Sequence, residues 1–219
     1  MIYFGMLLVC TPISGGHFNP ALTLSVFLTC PNKRDKISKL LLMITAQLAG
    51  GLIGLGLARL FRVEILNDKA TAVHDFYPAY TLSQSAIESV APVGTDIAPV
   101  LLFAEVFASL LLCLVFLSLK YRKDLTDKGR DPVLGAAALA LTLFVVCSVT
   151  GLIIGDSLVN PVVALVEILQ YVIFFYKPVA GGTVISVGGN IIRCVGPFVG
   201  SILAALVFSF QLEVLENIQ

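Results

Sequence analysis

Two Asn-Pro pairs interrupt sequence that is otherwise strongly apolar. The first, Asn19-Pro20, lies in S-G-G-H-F-N-P-A-L-T-L-S at 14–25, and the second, Asn160-Pro161, lies in D-S-L-V-N-P-V-V-A-L at 156–165. A side-chain amide offers two N–H donors and one acceptor oxygen, so its chemistry is hydrogen bonding to neutral groups. Each pair is therefore either an ordinary loop turn or a place where an amide can hydrogen-bond a neutral molecule that passes it.

Each pair also predicts the start of a short helix. Asn is a favoured N-cap, and Pro is tolerated at the first helical position, where its missing N–H costs nothing. The apolar stretches that follow, 20–29 and 161–176, are too short or irregular to cross a bilayer, which takes about 20 residues. We expect two re-entrant half-helices. If they enter from opposite faces, two positive helix ends meet at mid-bilayer, where they repel cations and protons but can hydrogen-bond a neutral molecule.

The composition predicts an integral, multi-pass membrane protein, without indicating which membrane. Of 219 residues, 58% are hydrophobic and 13% are charged, whereas soluble domains carry about 25% charged residues. The mean hydropathy is +0.96, and the net charge of zero gives no reason to expect a nucleic-acid partner. Four stretches are long enough to span, and a fifth, 1–9, is a partial span. The four are 40–60, 98–119, 132–154 and 191–210.

Basic residues and an internal repeat arrange these spans. Lys and Arg concentrate at 33–39 and at 120–130, which two spans separate, so both loops are predicted to be cytoplasmic. The first Asn-Pro pair precedes A-Q-L-A-G-G-L-I-G at 46–54, and the second precedes G-P-F-V-G-S-I-L-A at 196–204. An odd number of crossings between the copies makes the repeat inverted, an architecture in which broken helices meet at the midplane.

These elements predict one transmembrane domain over 1–219. Its first repeat covers about 1–61, its external loop 62–98 and its second repeat 99–210. The fold class is all-α, with an inverted repeat and two half-helices.

The sequence resembles the aquaporin family of major intrinsic proteins. S-G-G-H-F-N-P-A-L-T-L matches the family's first signature almost throughout, N-P-V at 160–162 is a divergent second copy, and G-P-F-V-G-S-I-L-A-A-L-V-F is similar to its last helix. The resemblance implies a pore in each subunit, homotetramers in a lipid bilayer, and passive flow of water or small neutral solutes. It implies no enzymatic activity, no cofactor and no metal.

The resemblance also assigns roles to particular residues. Val163 stands where the family usually places an arginine, so the outer mouth is expected to be wider and less positive than a strict water filter. The Asn-Pro region comprises Asn19, Pro20, Ala21, Asn160, Pro161 and Val162; the selectivity-filter positions are Ser148, Ser157 and Val163; and the loop supports are Glu105 and His17.

Length is a second departure from the family pattern. Only 13 residues precede Ser14, so the family's first transmembrane helix is missing and the second is clipped; the chain either lacks its natural N-terminus or is a shortened relative. An alternative function therefore stays open, that of a pore-deficient relative serving as a structural subunit beside neighbouring membrane subunits. An enzyme is disfavoured, because the sequence has neither clustered His/Cys metal spacing nor a nucleophile elbow.

Overall fold

The computed structural model describes residues 2–65, 98–121, 131–154, 158–175 and 187–218. Within these ranges the regular structure is entirely helical, with a single 3-10 turn at Arg34–Lys36. Most of the predicted external loop and the filter position Ser157 lie outside the described residues. The α-helices are α1 (Ile2–Ser14), α2 (Pro20–Thr29), α3 (Ile37–Ile65), α4 (Ala98–Tyr121), α5 (Pro132–Ile154), α6 (Pro161–Phe175) and α7 (Val187–Ile218).

The four predicted spans are confirmed as helices long and apolar enough to cross a membrane. They correspond to α3, α4, α5 and α7. The helix that carries the last predicted span, 191–210, is longer than the span, since α7 continues to Ile218 through polar residues such as Glu213. Hydropathy marks only the part of a helix that suits lipid, whereas the backbone hydrogen bonds of a helix continue into the aqueous phase.

Three shorter helices complete the described bundle. Helix α2 has 10 residues and α6 has 15, and both begin at the prolines from which half-helices were predicted. Helix α1 runs further than the expected 1–9 and contains Pro12 close to its C-terminal end. It packs on α5, while α2 packs on α7, α3 and α4, and α6 packs on α7 and α3. The all-α fold with two short helices set among longer spans is confirmed.

Among the described helices, α4 and α7 share the most extensive interface, and two glycines of α7 allow their close approach. A Cβ atom added at Gly196 would lie 2.7 Å from Cβ of Glu105, and one added at Gly200 would lie 2.8 Å from Cβ of Ser109 and closer still to the carbonyl oxygen of Val106. Small residues let membrane helices approach closely enough for backbone and side-chain packing to hold them together. This interface fixes the helix that carries Glu105.

The corresponding face of α3 is packed differently. Aligning 46–54 with 196–204 pairs Gly50 with Gly200, yet a Cβ atom at Gly50 or at Gly54 would meet nothing within 4 Å. Only Gly51 is crowded, since its Cβ atom would lie 2.6 Å from Val162 on α6. The most apolar window of this span contains no buried residue. In the described part of the chain, the α3 counterpart of the α4–α7 contact is therefore uncovered.

These two environments predict opposite responses to the same substitution. Gly200→Val should destabilise the protein by about 1–3 kcal/mol, because the added methyl groups overlap α4. Gly54→Val places the same groups in open space and is the matched control. Unfolding of both variants in detergent micelles measures the difference; equal midpoints for the two would contradict the close α4–α7 packing.

Candidate functional site

Each asparagine of the two Asn-Pro pairs caps the helix that follows it. Asn19 Oδ1 accepts a hydrogen bond from the Ala21 backbone N–H at 2.8 Å, and Asn160 Oδ1 accepts one from the Val162 N–H at 3.1 Å. Each proline occupies the first helical position, where no N–H is required. The local sequence thus fixes both helix starts and leaves both amide NH2 groups available for other contacts.

The two asparagine amides connect the two loops reciprocally. Asn19 Nδ2 donates to the Val159 carbonyl oxygen at 2.8 Å, and Asn160 Nδ2 donates to the Phe18 carbonyl oxygen at 3.2 Å. Each amide therefore binds the residue that precedes the other asparagine. The arrangement has the approximate twofold relation of an inverted repeat, and it places the N-terminal ends of α2 and α6 against each other.

The two accepting residues share an unusual backbone conformation. Phe18 has φ of 48° and Val159 has φ of 52°, in the left-handed region that residues with a Cβ atom rarely adopt. Such a conformation costs about 1–3 kcal/mol for each residue and persists only where its surroundings enforce it. In both loops the strained residue is the one whose carbonyl accepts the cross-loop bond, so that bond offsets part of the strain.

Glu105 holds the second loop through its backbone. The side chain is fully buried; Oε1 accepts from the Leu158 N–H at 3.0 Å, and Oε2 accepts from the Val159 N–H at 3.0 Å. A carboxylate at membrane depth is costly unless its oxygens are hydrogen-bonded. Here both oxygens are used, and one of them binds the strained residue itself.

The first loop is held by a different set of groups. His17 is 5% exposed, and its Nδ1 lies 3.2 Å from Thr23 Oγ1. Among the residues that the structure describes, no acceptor serves the backbone N–H groups of His17 and Phe18, which are the counterparts of Leu158 and Val159. The two loops thus share their asparagine contacts but differ in what supports them.

Two of the three predicted filter positions fall in the described residues, and they lie on two different helices. Ser148 is exposed and lines an open cavity of about 370 Å3 between α1 and α5, together with Tyr3, Phe4 and Phe144. Val163, on α6, is 40% exposed. By contrast, the Asn-Pro neighbours Pro20, Ala21, Pro161 and Val162 are buried.

Sequence reasoning missed three contributors to this site. The left-handed conformation of Phe18 and Val159 has no signal in the residue types, since neither is glycine or asparagine. Thr23 donates its hydroxyl hydrogen to the Asn19 carbonyl oxygen at 3.0 Å; a threonine four residues after an N-cap could have suggested this bond.

In the described ranges no group of three His, Cys, Asp or Glu side chains could hold a metal ion.

The geometry of Glu105 gives a direct prediction. Glu105→Gln leaves a single acceptor oxygen for two N–H groups, so we expect a loss of about 1–3 kcal/mol and faster amide hydrogen exchange at Leu158 or Val159. The exposed Glu213→Gln on α7 makes the same chemical change and is the control. Thermal unfolding and exchange measured by mass spectrometry report the effect; unchanged exchange at both amides would contradict the bracing contact.

Comparison with known proteins places this geometry in a family. The family model for major intrinsic proteins matches residues 1–208. Aquaporin PIP2-1 of Arabidopsis thaliana is 27% identical over 209 residues, which are 95% of this chain and 62% of that protein. A probable aquaporin PIP2-1 of Oryza sativa subsp. japonica is 26% identical over the same shares of the two chains. Aquaporin PIP2-5 of Zea mays is 26% identical over 95% of this chain and 63% of its own.

The chain therefore spans somewhat less than two thirds of the length of these curated relatives. The family match covers nearly all of the chain, and both Asn-Pro loops fall inside it. Together with the reciprocal loop geometry and the four spans, this match shows that the chain belongs to the major intrinsic protein family.

Proposed function

We propose that this protein is a passive transmembrane channel for water or small neutral solutes. The observation that carries the proposal is the reciprocal pair of bonds between the Asn19 and Asn160 loops. Flow past these two amides requires no covalent step, no cofactor and no metal. The names of the aquaporin relatives support the same function, and the roles of the individual residues below are part of the proposal.

The unused hydrogen of each amide is the group proposed to contact the permeating molecule. Each NH2 group has two hydrogens, and one of them is committed to the opposite loop. Within the described residues no protein acceptor takes the second. A water molecule or a solute hydroxyl can accept it, which replaces a hydrogen bond that the molecule loses on leaving bulk water.

The two helix ends supply the electrostatic part of the proposal. The N-termini of α2 and α6 each carry roughly half a positive charge, and they meet where the asparagine amides are linked. Cations, including hydronium, are repelled there, whereas a neutral molecule is not. Selectivity in pores of this type follows from diameter, lining donors and such electrostatic barriers.

We propose that the outer mouth is less restrictive than that of a strict water channel. Val163 is exposed and uncharged at the third position after Asn160, and the exposed Ser148 is small. A mouth lined by such groups has neither the bulk nor the charge of an arginine side chain. Small uncharged solutes larger than water are therefore the expected additional substrates.

A structural role is the second candidate, and it is favoured by the face of α3 that no described residue covers. A span without buried residues in its most apolar window offers a surface to another membrane helix. In this alternative the protein is a pore-deficient member of an assembly, and neighbouring subunits cover that face. A homotetramer of conducting subunits is the arrangement proposed with the channel function.

Asn160→Asp separates the two candidates. The carboxylate cannot donate to the Phe18 carbonyl oxygen and places a negative charge beside it, so permeability should fall by at least about tenfold, the factor given by 1.4 kcal/mol. Stopped-flow swelling of proteoliposomes with water and with glycerol measures the loss.

Asn32→Asp, an exposed position between α2 and α3, is the matched control and should conduct like the wild type. Wild-type permeability no greater than that of bare lipid, from protein shown to be folded, would reject the channel in favour of the structural role.

Val163→Arg tests the proposed mouth. The added side chain narrows the passage and adds a positive charge, so glycerol permeability should fall more than water permeability, by at least about threefold in their ratio. Val163→Met adds length without charge and distinguishes size from electrostatics. A glycerol-to-water ratio that Val163→Arg leaves unchanged would remove Val163 from the permeation path.

A further inference from the structure

The lysine at the end of α4 contacts the histidine of the first loop. Lys120 Nζ lies 3.2 Å from His17 Nε2. A lysine ammonium has three donors and no acceptor, so the imidazole nitrogen that faces it must be unprotonated and must accept. Lys120 Nζ also lies 5.8 Å from the centre of the Phe116 ring, which helps to hold the ammonium in place.

The opposite side of the imidazole imposes the complementary condition. His17 Nδ1 lies 3.2 Å from Thr23 Oγ1, and the single hydroxyl hydrogen of Thr23 is donated to the Asn19 carbonyl oxygen at 3.0 Å. Gln47 Nε2 donates to the same hydroxyl oxygen at 2.9 Å. Thr23 therefore has no hydrogen to give to the ring, and Nδ1 must carry the proton. Only the neutral imidazole protonated on Nδ1 satisfies both sides.

The surroundings of His17 keep it in this neutral form. It lies in the loop between α1 and α2, and its ring meets the Phe116 ring edge-on, with centroids 5.1 Å apart. Among the residues that the structure describes, the charged groups that face it are Lys120 from α4 and Lys39 from α3, and α1 and α2 add no charge. Burial first, and then these two cations, lower the pKa of His17 to about 3.

This shift has a definite sign. Because the folded-state pKa lies below the ordinary value of 6.5, the unfolded chain takes up a proton that the folded protein does not. The contribution of His17 to stability is therefore complete above about pH 6.5 and declines as the pH falls below that value. Across the physiological range the contact with Lys120 stays intact.

We propose that Lys120 is a positioning residue for the Asn19 loop. By accepting only an unprotonated Nε2 as its partner, it selects the Nδ1-protonated imidazole, which in turn leaves the Thr23 hydroxyl directed at the Asn19 carbonyl oxygen. If the proton moved to Nε2, Nδ1 would need a donor, and the hydroxyl of Thr23 would turn from Asn19 to the ring. Lys120 thus supports the first loop indirectly, through the side chains of His17 and Thr23, whereas Glu105 binds the backbone of the second loop directly. The transport consequence rests on the proposed channel function.

The primary test is the protonation state of the ring. The chain has two histidines, His17 and His74, so a His74→Gln background leaves one imidazole for 15N NMR in lipid nanodiscs. We expect the proton on Nδ1, which is the less common form of a free histidine side chain, from about pH 5.5 to about pH 7.5. A ring protonated on Nε2 in the otherwise wild-type protein would overturn the proposal without any further variant.

Variants at Lys120 test the cause. Lys120→Met removes the donor, so the proton should redistribute toward Nε2 and the pKa of His17 should rise by more than about one unit. Lys120→Arg retains the charge and the donors and should restore the wild-type NMR signature. Lys33→Met, which removes an exposed cation outside this network, is the control. If His17 in Lys120→Met kept the wild-type tautomer and the wild-type pKa, the proposal would be contradicted.

Permeability supplies a second readout. In proteoliposomes Lys120→Met should conduct at least about twofold less than the wild type near neutral pH, and its permeability should vary between about pH 5.5 and about pH 7.5, where the wild type is constant. A Lys120→Met protein whose permeability equals that of the wild type at every pH would contradict the positioning role. If no form of the protein conducts, the channel proposal fails, and the NMR result still decides the role of Lys120.

Discussion

The structure depends on two hydrogen bonds that cross between its loops, from the amide of Asn19 to the Val159 carbonyl and from the amide of Asn160 to the Phe18 carbonyl. At membrane depth no bulk water is present to satisfy irregular backbone, so such loops are tolerable only where protein groups or a lined cavity supply partners. The cross-loop bonds supply them for two carbonyls and hold the positive ends of α2 and α6 together. Without these bonds the cost of the left-handed backbone at Phe18 and Val159 would be opposed only by the contact of Glu105 with the Val159 N–H.

The two halves of the repeat reach the same loop geometry by different means. The second loop is held by one carboxylate on a helix that two glycines of α7 pack tightly against. The first loop is held by a chain of neutral contacts that ends in the ammonium of Lys120. The packing of the two halves differs as well, since in the described residues the α3 face that corresponds to the α4–α7 contact is uncovered. The two loops are therefore alike in the contacts of Asn19 and Asn160 but differ in the side chains that support each loop.

Much of this fold could be predicted from the sequence because lipid imposes simple rules. Long apolar stretches predicted the spans. The Asn-Pro pairs predicted where α2 and α6 begin, because the preferences for a helix cap and a first turn are local. The left-handed residues could not be predicted, because Phe18 and Val159 carry no preference for that conformation and only distant contacts enforce it. Lys120 was equally hidden: a lysine at a helix end has the appearance of an ordinary cytoplasmic flanking charge. The continuation of α7 beyond the span was not predicted, because hydropathy reports on lipid and not on helix continuity.

The separation of these partners along the chain has a consequence for biosynthesis. Asn19 and its acceptor Val159 are 140 residues apart. At a synthesis rate of about 5–20 residues per second, the first loop exists for about 7 to 28 seconds before its partner has been made. Throughout that interval the nascent α2 has its cap but not its cross-loop bond. The first loop therefore cannot complete its hydrogen bonds until the second half of the chain has been translated.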